Sequence, residues 1–76
     1  METSLDLLKP GRQGIVTVVC VEKRLRERLR AFGLVPGTVV RCSYRNPWGD
    51  VTALHFRGST LALRTKDLRK IRVRCL

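Results

Sequence analysis

Leu29-Arg30-Ala31-Phe32-Gly33-Leu34-Val35-Pro36-Gly37-Thr38-Val39-Val40-Arg41-Cys42-Ser43-Tyr44-Arg45 is the stretch on which the fold turns. It reads as a helix end, a tight turn and a strand in direct succession. Gly33 follows the last apolar residue of a helical stripe, the usual place for a left-handed terminator. Pro36-Gly37 fits the central positions of a type II turn, proline presetting φ and glycine supplying a positive φ. From Thr38 to Arg45 the pattern alternates, with Val40, Cys42 and Tyr44 on one side and Arg41 and Ser43 on the other.

Upstream, Leu25, Leu29 and Phe32 fall at i, i+4 and i+7, so the spacing predicts a helix over Glu22–Phe32 with one apolar stripe. Glu22 suits the first turn, where the helix dipole favours an acid. Lys23, Arg24, Arg26, Arg28 and Arg30 cover the rest of the circumference. Before the helix, Ile15–Val21 is β-branched and nearly continuous in hydrophobicity, which predicts a strand buried on both faces. Ser4–Leu8 reads as an apolar lead-in closed by Pro10-Gly11.

Downstream everything reads as β. Asn46-Pro47-Trp48-Gly49 breaks the strand, and Val51–Arg57 resumes it with Leu54 and Phe56 on one face. Gly58-Ser59 signals a hairpin, Leu61–Arg64 returns, Thr65 can cap a turn over Lys66–Arg69, and Ile71 and Val73 close the chain. The fold class is mainly β with one or two short helices, a small barrel of about five strands. The 76 residues make one domain, 1–76, near the lower size limit for unaided folding. The predicted core is Val16, Val18, Leu25, Leu29, Phe32, Val40, Leu54, Phe56, Leu61, Leu63, Ile71 and Val73.

Sixteen Lys and Arg against six Asp and Glu leave a formal net charge of +10, which draws the chain toward polyanions: nucleic acid, anionic lipid or an acidic protein face. Met1 is followed by Glu2 and Asp6 with no basic start or long apolar core, so the expected location is cytoplasmic. Cys20, Cys42 and Cys75 then read as reduced thiols, Cys20 and Cys42 within apolar strands and Cys75 exposed.

Chemistry-bearing residues are sparse. His55 is the only histidine and alternates with Leu54 and Phe56, on the outward side of a strand. No Ser-His-Asp or Cys-His arrangement can be built away from it. Gly11-Arg12-Gln13-Gly14 lacks the phosphate-cradling P-loop pattern. The thiols are too widely spaced for a closed zinc site, and Asp50 and His55, five apart on a strand, face opposite ways. The expectation is no enzyme, no cofactor, no metal site and no small-molecule substrate. Candidate partner-binding residues are Pro47, Trp48 and Gly49, an aromatic displayed on a restricted turn, and Arg26 with Arg30, four apart on the helix.

These segments together resemble the FeoA family, ferrous iron transport protein A. Leu29…Phe32-Gly33-Leu34-Val35-Pro36-Gly37 is similar to its LGLxPG core, and Pro47-Trp48-Gly49-Asp50 to its PxGD turn. Gly58…Leu61-Ala62-Leu63-Arg64 resembles its G…LALR strand, and Asp67…Ile71-Arg72-Val73 its terminal IxV. Leu8-Lys9-Pro10-Gly11 with Gly14 fits as well. Order and spacing carry the resemblance, from about Leu5 to Val73. Val51, where the family often has proline, and the bulky Trp48 are departures. The resemblance implies an SH3-like barrel that supports FeoB, the membrane ferrous iron transporter with a GTPase domain, by binding it and modulating its assembly or activity. The arginine-rich helix has three readings: a solvated face, a face turned to the anionic membrane surface beside that partner, or a nucleic-acid contact. The same fold occurs as the C-terminal domain of iron- and manganese-dependent repressors, though no helix-turn-helix is read here. A nucleic-acid-binding SH3-like module is the alternative, resting on charge. Its weakness is a shortage of stacking aromatics, with Phe32, Tyr44 and Phe56 assigned to apolar faces.

Overall fold

In the computed structural model, which describes all residues from Met1 to Leu76, the chain runs β1 (Glu2–Ser4), a 3-10 turn (Leu5–Leu7), β2 (Gln13–Val19) and α1 (Lys23–Phe32). It continues through β3 (Val39–Arg45), β4 (Val51–Phe56), β5 (Ser59–Arg64), α2 (Thr65–Leu68) and β6 (Ile71–Cys75). All strands pair antiparallel in one sheet of order β1-β6-β2-β3-β4-β5. There are six strands rather than five, because Glu2–Ser4 pairs with Arg72–Arg74 ahead of the apolar lead-in. No ladder joins β5 back to β1, so the sheet has two outer strands and is not closed into the expected small barrel by hydrogen bonds.

Helix α1 ends as the sequence predicts, and the ending decides the core. Gly33 has φ 93°, its N–H bonds Arg30 O at 2.9 Å, and Leu34 N–H bonds Leu29 O at 2.8 Å. This is a Schellman motif, which brings the apolar residue after the glycine back onto the last helical turn. Leu34 therefore enters the core beside Leu29, each 1% exposed, while Phe32 is left 53% exposed. At the other end Glu22 stands at the cap position, not inside the first turn, and its side chain makes no capping bond.

The Pro36-Gly37 turn then fastens helix to sheet. Thr38 N–H bonds Val35 O at 3.0 Å, and Gly37 has φ 94°, as type II demands. The buried Thr38 hydroxyl donates to Gly33 O at 2.8 Å and accepts from Val35 N–H at 3.3 Å. Gly37 N–H to Val16 O and Val16 N–H to Thr38 O complete the joint, at 2.7 and 2.9 Å.

Two bulges correct the predicted faces. In β2 the register passes from Val16↔Val73 to Val18↔Arg72, leaving Thr17 as the extra residue. Val18 is thereby turned outward, 47% exposed, and Val19 packs on the core instead. So Ile15–Val21 buries one face, not two, and Cys20, just past the strand, is exposed. In β3 the register passes from Cys42↔Leu54 to Tyr44↔Ala53, with Ser43 extra. Tyr44 leaves the apolar face, and Arg45 becomes half-buried opposite the buried Thr52. A bulge inverts alternation beyond it, which single-strand patterning does not register.

Arg45 makes use of its position. Its Nη2 donates to Asp6 O at 2.7 Å and Leu8 O at 2.8 Å, and its Nε to Thr52 Oγ1 at 3.3 Å. It thus holds the N-terminal segment against β3 and β4, with Leu5 and Leu8 buried in the core.

Val16, Leu29, Val40, Leu54, Phe56, Ile71 and Val73 are buried as expected, joined by Leu5, Leu8, Val21, Leu34, Cys42 and Leu68. Leu25, Leu61 and Leu63 are only partly buried against that cluster. The β4–β5 hairpin turns on Arg57-Gly58, one residue earlier than the sequence signal, with φ of 50° and 76°. Two positive φ values define a type I′ turn, and arginine in that region costs about 1 kcal/mol. The Arg57 Nε donates to Gly33 O at 3.1 Å.

Candidate functional site

Between β3 and β4 the chain builds a rigid support for one aromatic. Gly49 N–H closes a turn onto Asn46 O at 2.9 Å, and Asn46 N–H bonds Val51 O at 3.1 Å. The Asn46 side chain braces the interior: Oδ1 accepts from Asp50 N–H at 3.1 Å and Val51 N–H at 3.4 Å, and Nδ2 donates to the Asp50 carboxylate. Asparagine is suited to this because its amide can stand in for a backbone group.

Thr65 ties the loop from the far side. Its hydroxyl donates to Gly49 O and its N–H to Asp50 O at 2.9 Å. The sequence assigns that hydroxyl to capping α2; in the structure Arg64 is the cap residue and the hydroxyl serves the loop. Pro47 and Trp48 sit at the tip, and Trp48 is 84% exposed. The braced turn leaves little backbone entropy to be lost when a partner meets the Trp48 ring.

Trp48 shares a cleft with Arg64, Lys66 and Arg69. Arg64 and Lys66 also line a second cleft, where Arg24 and Arg28 of α1 and Lys70 face Glu22 and Asp67. The outcome is one continuous basic surface that begins at the tryptophan. Arg26 and Arg30 are not on it: they line a different cleft with Val19, Leu34, Val35 and Pro36. The structure therefore separates the two halves of the predicted site and supplies Trp48 with cations the sequence did not single out. The only signal for them was the run Arg64…Lys66…Arg69-Lys70, read as strand end and turn.

No three His, Cys, Asp or Glu side chains gather anywhere in the chain. His55 Nδ1 lies 3.3 Å from Thr60 Oγ1 across the β4–β5 ladder, an ordinary cross-strand pair. All three cysteines are free; Cys20 is exposed, Cys42 buried and Cys75 half-buried, not exposed as read from sequence. Burial pushes the Cys42 thiol up, and the nearby Arg45 guanidinium offsets this in part. Its neutral form is thus favoured on folding, a contribution present below the unfolded thiol pKa and lost as pH rises through the folded one. At neutral pH iodoacetamide should modify Cys20 first and Cys42 only on unfolding. Mass spectrometry of the labelled peptides checks this, and early labelling of Cys42 would mean that β3 and β4 part readily.

No helix is long and apolar enough to cross a membrane. Fold and surface together define a small, mainly β domain of the SH3-like type with a displayed aromatic and a basic face. The chain belongs to the FeoA domain family, whose model matches residues 3–75, a family associated with ferrous iron transport. Among solved structures it is similar to the FeoA protein from Chlorobium tepidum at 32% identity and TM-score 0.94, covering 97% of this chain and 70% of that one. An iron uptake regulatory protein (FeoA) superposes at TM-score 0.85 and 26% identity, covering 100% and 99%. A manganese-dependent transcriptional repressor shares the fold at TM-score 0.88 and 16% identity, covering 99% of this chain and 42% of that one. No curated protein matches the chain.

Proposed function

We propose that this chain is a cytoplasmic, non-enzymatic accessory protein of ferrous iron uptake that binds the FeoB transporter and modulates its assembly or GTPase activity. The observation that carries the reading is Trp48, 84% exposed on a doubly braced turn and flanked by Arg64, Lys66 and Arg69. Tryptophan and arginine are the residue types most enriched among binding hot spots. The cations would steer an acidic face, or the membrane surface beside the transporter, toward the aromatic anchor.

Trp48→Ala should weaken binding to the FeoB cytosolic domain by about 2 kcal/mol or more, mainly through faster dissociation, with the thermal midpoint unchanged. Changing Arg64 and Lys66 together to Ser should slow association and flatten its salt dependence, more than changing Arg26 and Arg30 does. Surface plasmon resonance separates the two rates. Unaltered binding by Trp48→Ala would sink the assignment of the anchor.

A second reading, nucleic-acid binding, has one observation in its favour beyond the charge of +10. Phe32, Tyr44 and Trp48 are 53%, 58% and 84% exposed, so the chain has more free aromatic surface for base stacking than its sequence pattern suggests. Tight, salt-sensitive retention of a random oligonucleotide, with no FeoB binding, would put this reading first.

A further inference from the structure

The two outer strands of the sheet differ in kind. β1 is three residues long, whereas β5 has six. Short, bulged or charged edges discourage pairing with another chain; long regular ones invite it. β5 pairs with β4 over six consecutive residue pairs without a bulge, unlike β2 and β3, and Arg64 is its only charged residue. The two-residue turn makes Phe56↔Ser59 a hydrogen-bonded pair. By alternation, the N–H and C=O groups of Thr60 and Ala62 then point away from β4, where no strand takes them up.

Along this edge runs a groove of about 190 Å³, walled by Leu25, Leu29 and Phe32 of α1 and by Leu61 and Leu63 of β5. A cavity of about 150 Å³ holds a benzene ring, so the groove has room for a large apolar side chain. Arg28 and Arg64 stand at its margin with the single acid Asp67, and all three also line the cleft in which Arg24, Lys66 and Lys70 outnumber Glu22 and Asp67. Apolar floor, unpaired main chain and positive margin coincide in one place.

We propose that the free edge of β5 and the groove beneath α1 receive an extended acidic segment of a partner protein, added to the sheet as a seventh strand. Main-chain bonds to Thr60 and Ala62 hold it, alternate apolar side chains enter the groove, and the carboxylates between them, on the other face of the pleat, meet Arg64. A second copy of this chain is a poor occupant, because it would bring two chains of charge +10 together across Arg64. The inference rests on the chain being a binding module and names what its partner must present.

The test uses the full chain, isotope-labelled, and a capped peptide of alternating valine and glutamate as long as β5. Amide exchange at Thr60 and Ala62 should slow on addition of peptide, and the Leu61 and Leu63 methyl signals should shift. Ala62→Pro removes an outward N–H, and proline is tolerated on such an edge. It should weaken the peptide roughly tenfold, the loss of one hydrogen bond that leaves a peptide carbonyl unmet. Phe32→Asp, at a half-exposed site, should weaken it similarly and decides the matter if Ala62→Pro fails to fold. Equal binding by the folded variants would overturn the proposal. So would edge protection that grows with protein concentration in the absence of peptide, which would assign the edge to a second copy. Tighter binding of a short oligothymidylate than of the peptide, with the edge amides unprotected, would overturn it in favour of nucleic acid. FeoB binding retained by Ala62→Pro but lost by Trp48→Ala would overturn this inference and leave the function above standing. Edge protection by the peptide with no FeoB binding would do the reverse.

Discussion

Leu29→Ala is expected to lower the unfolding free energy by about 2–5 kcal/mol, a large share of the roughly 5–15 kcal/mol available to a domain. Leu29 is 1% exposed, and its carbonyl receives the Leu34 N–H that terminates the helix. Truncation removes side-chain packing against Leu34 and opens a cavity at the one position where α1 is fully buried. For a chain of this size each kcal/mol moves the thermal midpoint by roughly 4–8 °C. Phe32→Ala is the control. The two residues share one stripe in the sequence, yet Phe32 is 53% exposed and its loss should cost under about 1 kcal/mol. Urea unfolding of both variants checks the pair; similar losses would mean that the helix lies on the sheet by its whole stripe.

Arg45→Met should cost about 2–4 kcal/mol, and for a different reason. Methionine keeps much of the buried stem but removes the donors to Asp6 O, Leu8 O and Thr52 Oγ1. Main-chain acceptors left without a partner cost about 1–3 kcal/mol each when buried, and less where water reaches them. The loss should be local first. Residues 5–12, which also rely on Gly11 N–H to Cys42 O and Cys42 N–H to Arg12 O, should exchange amide protons faster before the sheet does. Arg45→Lys should recover only part of the stability, since a single ammonium cannot reproduce the planar fork that spans the two carbonyls. Hydrogen exchange with unchanged protection at Leu8 and Gly11 would remove Arg45 from this role.

Of the proposed partner surface, the sequence showed the aromatic but not the cations that stand beside it. Trp48 beside Pro47 and Gly49 announced a displayed aromatic, because turn chemistry is written in adjacent residues. Arg26 and Arg30 were chosen because they are neighbours on a helix, which is a local relation. Their placement in a cleft away from Trp48 follows from how α1 is packed, and the arrival of Arg64, Lys66 and Arg69 beside it from the bonds of Thr65 to Gly49 and Asp50. Nothing within either segment states that relation.

What the sequence by itself determined is whatever is settled within about five residues. Gly33 terminates α1 and Pro36-Gly37 turn the chain, each through hydrogen bonds between near neighbours, and the β4–β5 reversal was legible to within one residue, at Gly58-Ser59 where Arg57-Gly58 make the turn. The order of these signals, from about Leu5 to Val73, was also enough to point to the family whose model matches residues 3–75. Only the tertiary structure decided which residues the bulges at Thr17 and Ser43 would expel, and hence that Val18 and Tyr44 face water while Arg45 turns inward. It alone showed that Leu34 displaces Phe32 from the core and that β5 stays unpaired on one side. The reason is physical: strand register is a property of two strands, set by partners such as Val73 and Leu54 that are distant in the chain, and a shift of one residue exchanges the buried face for the exposed one.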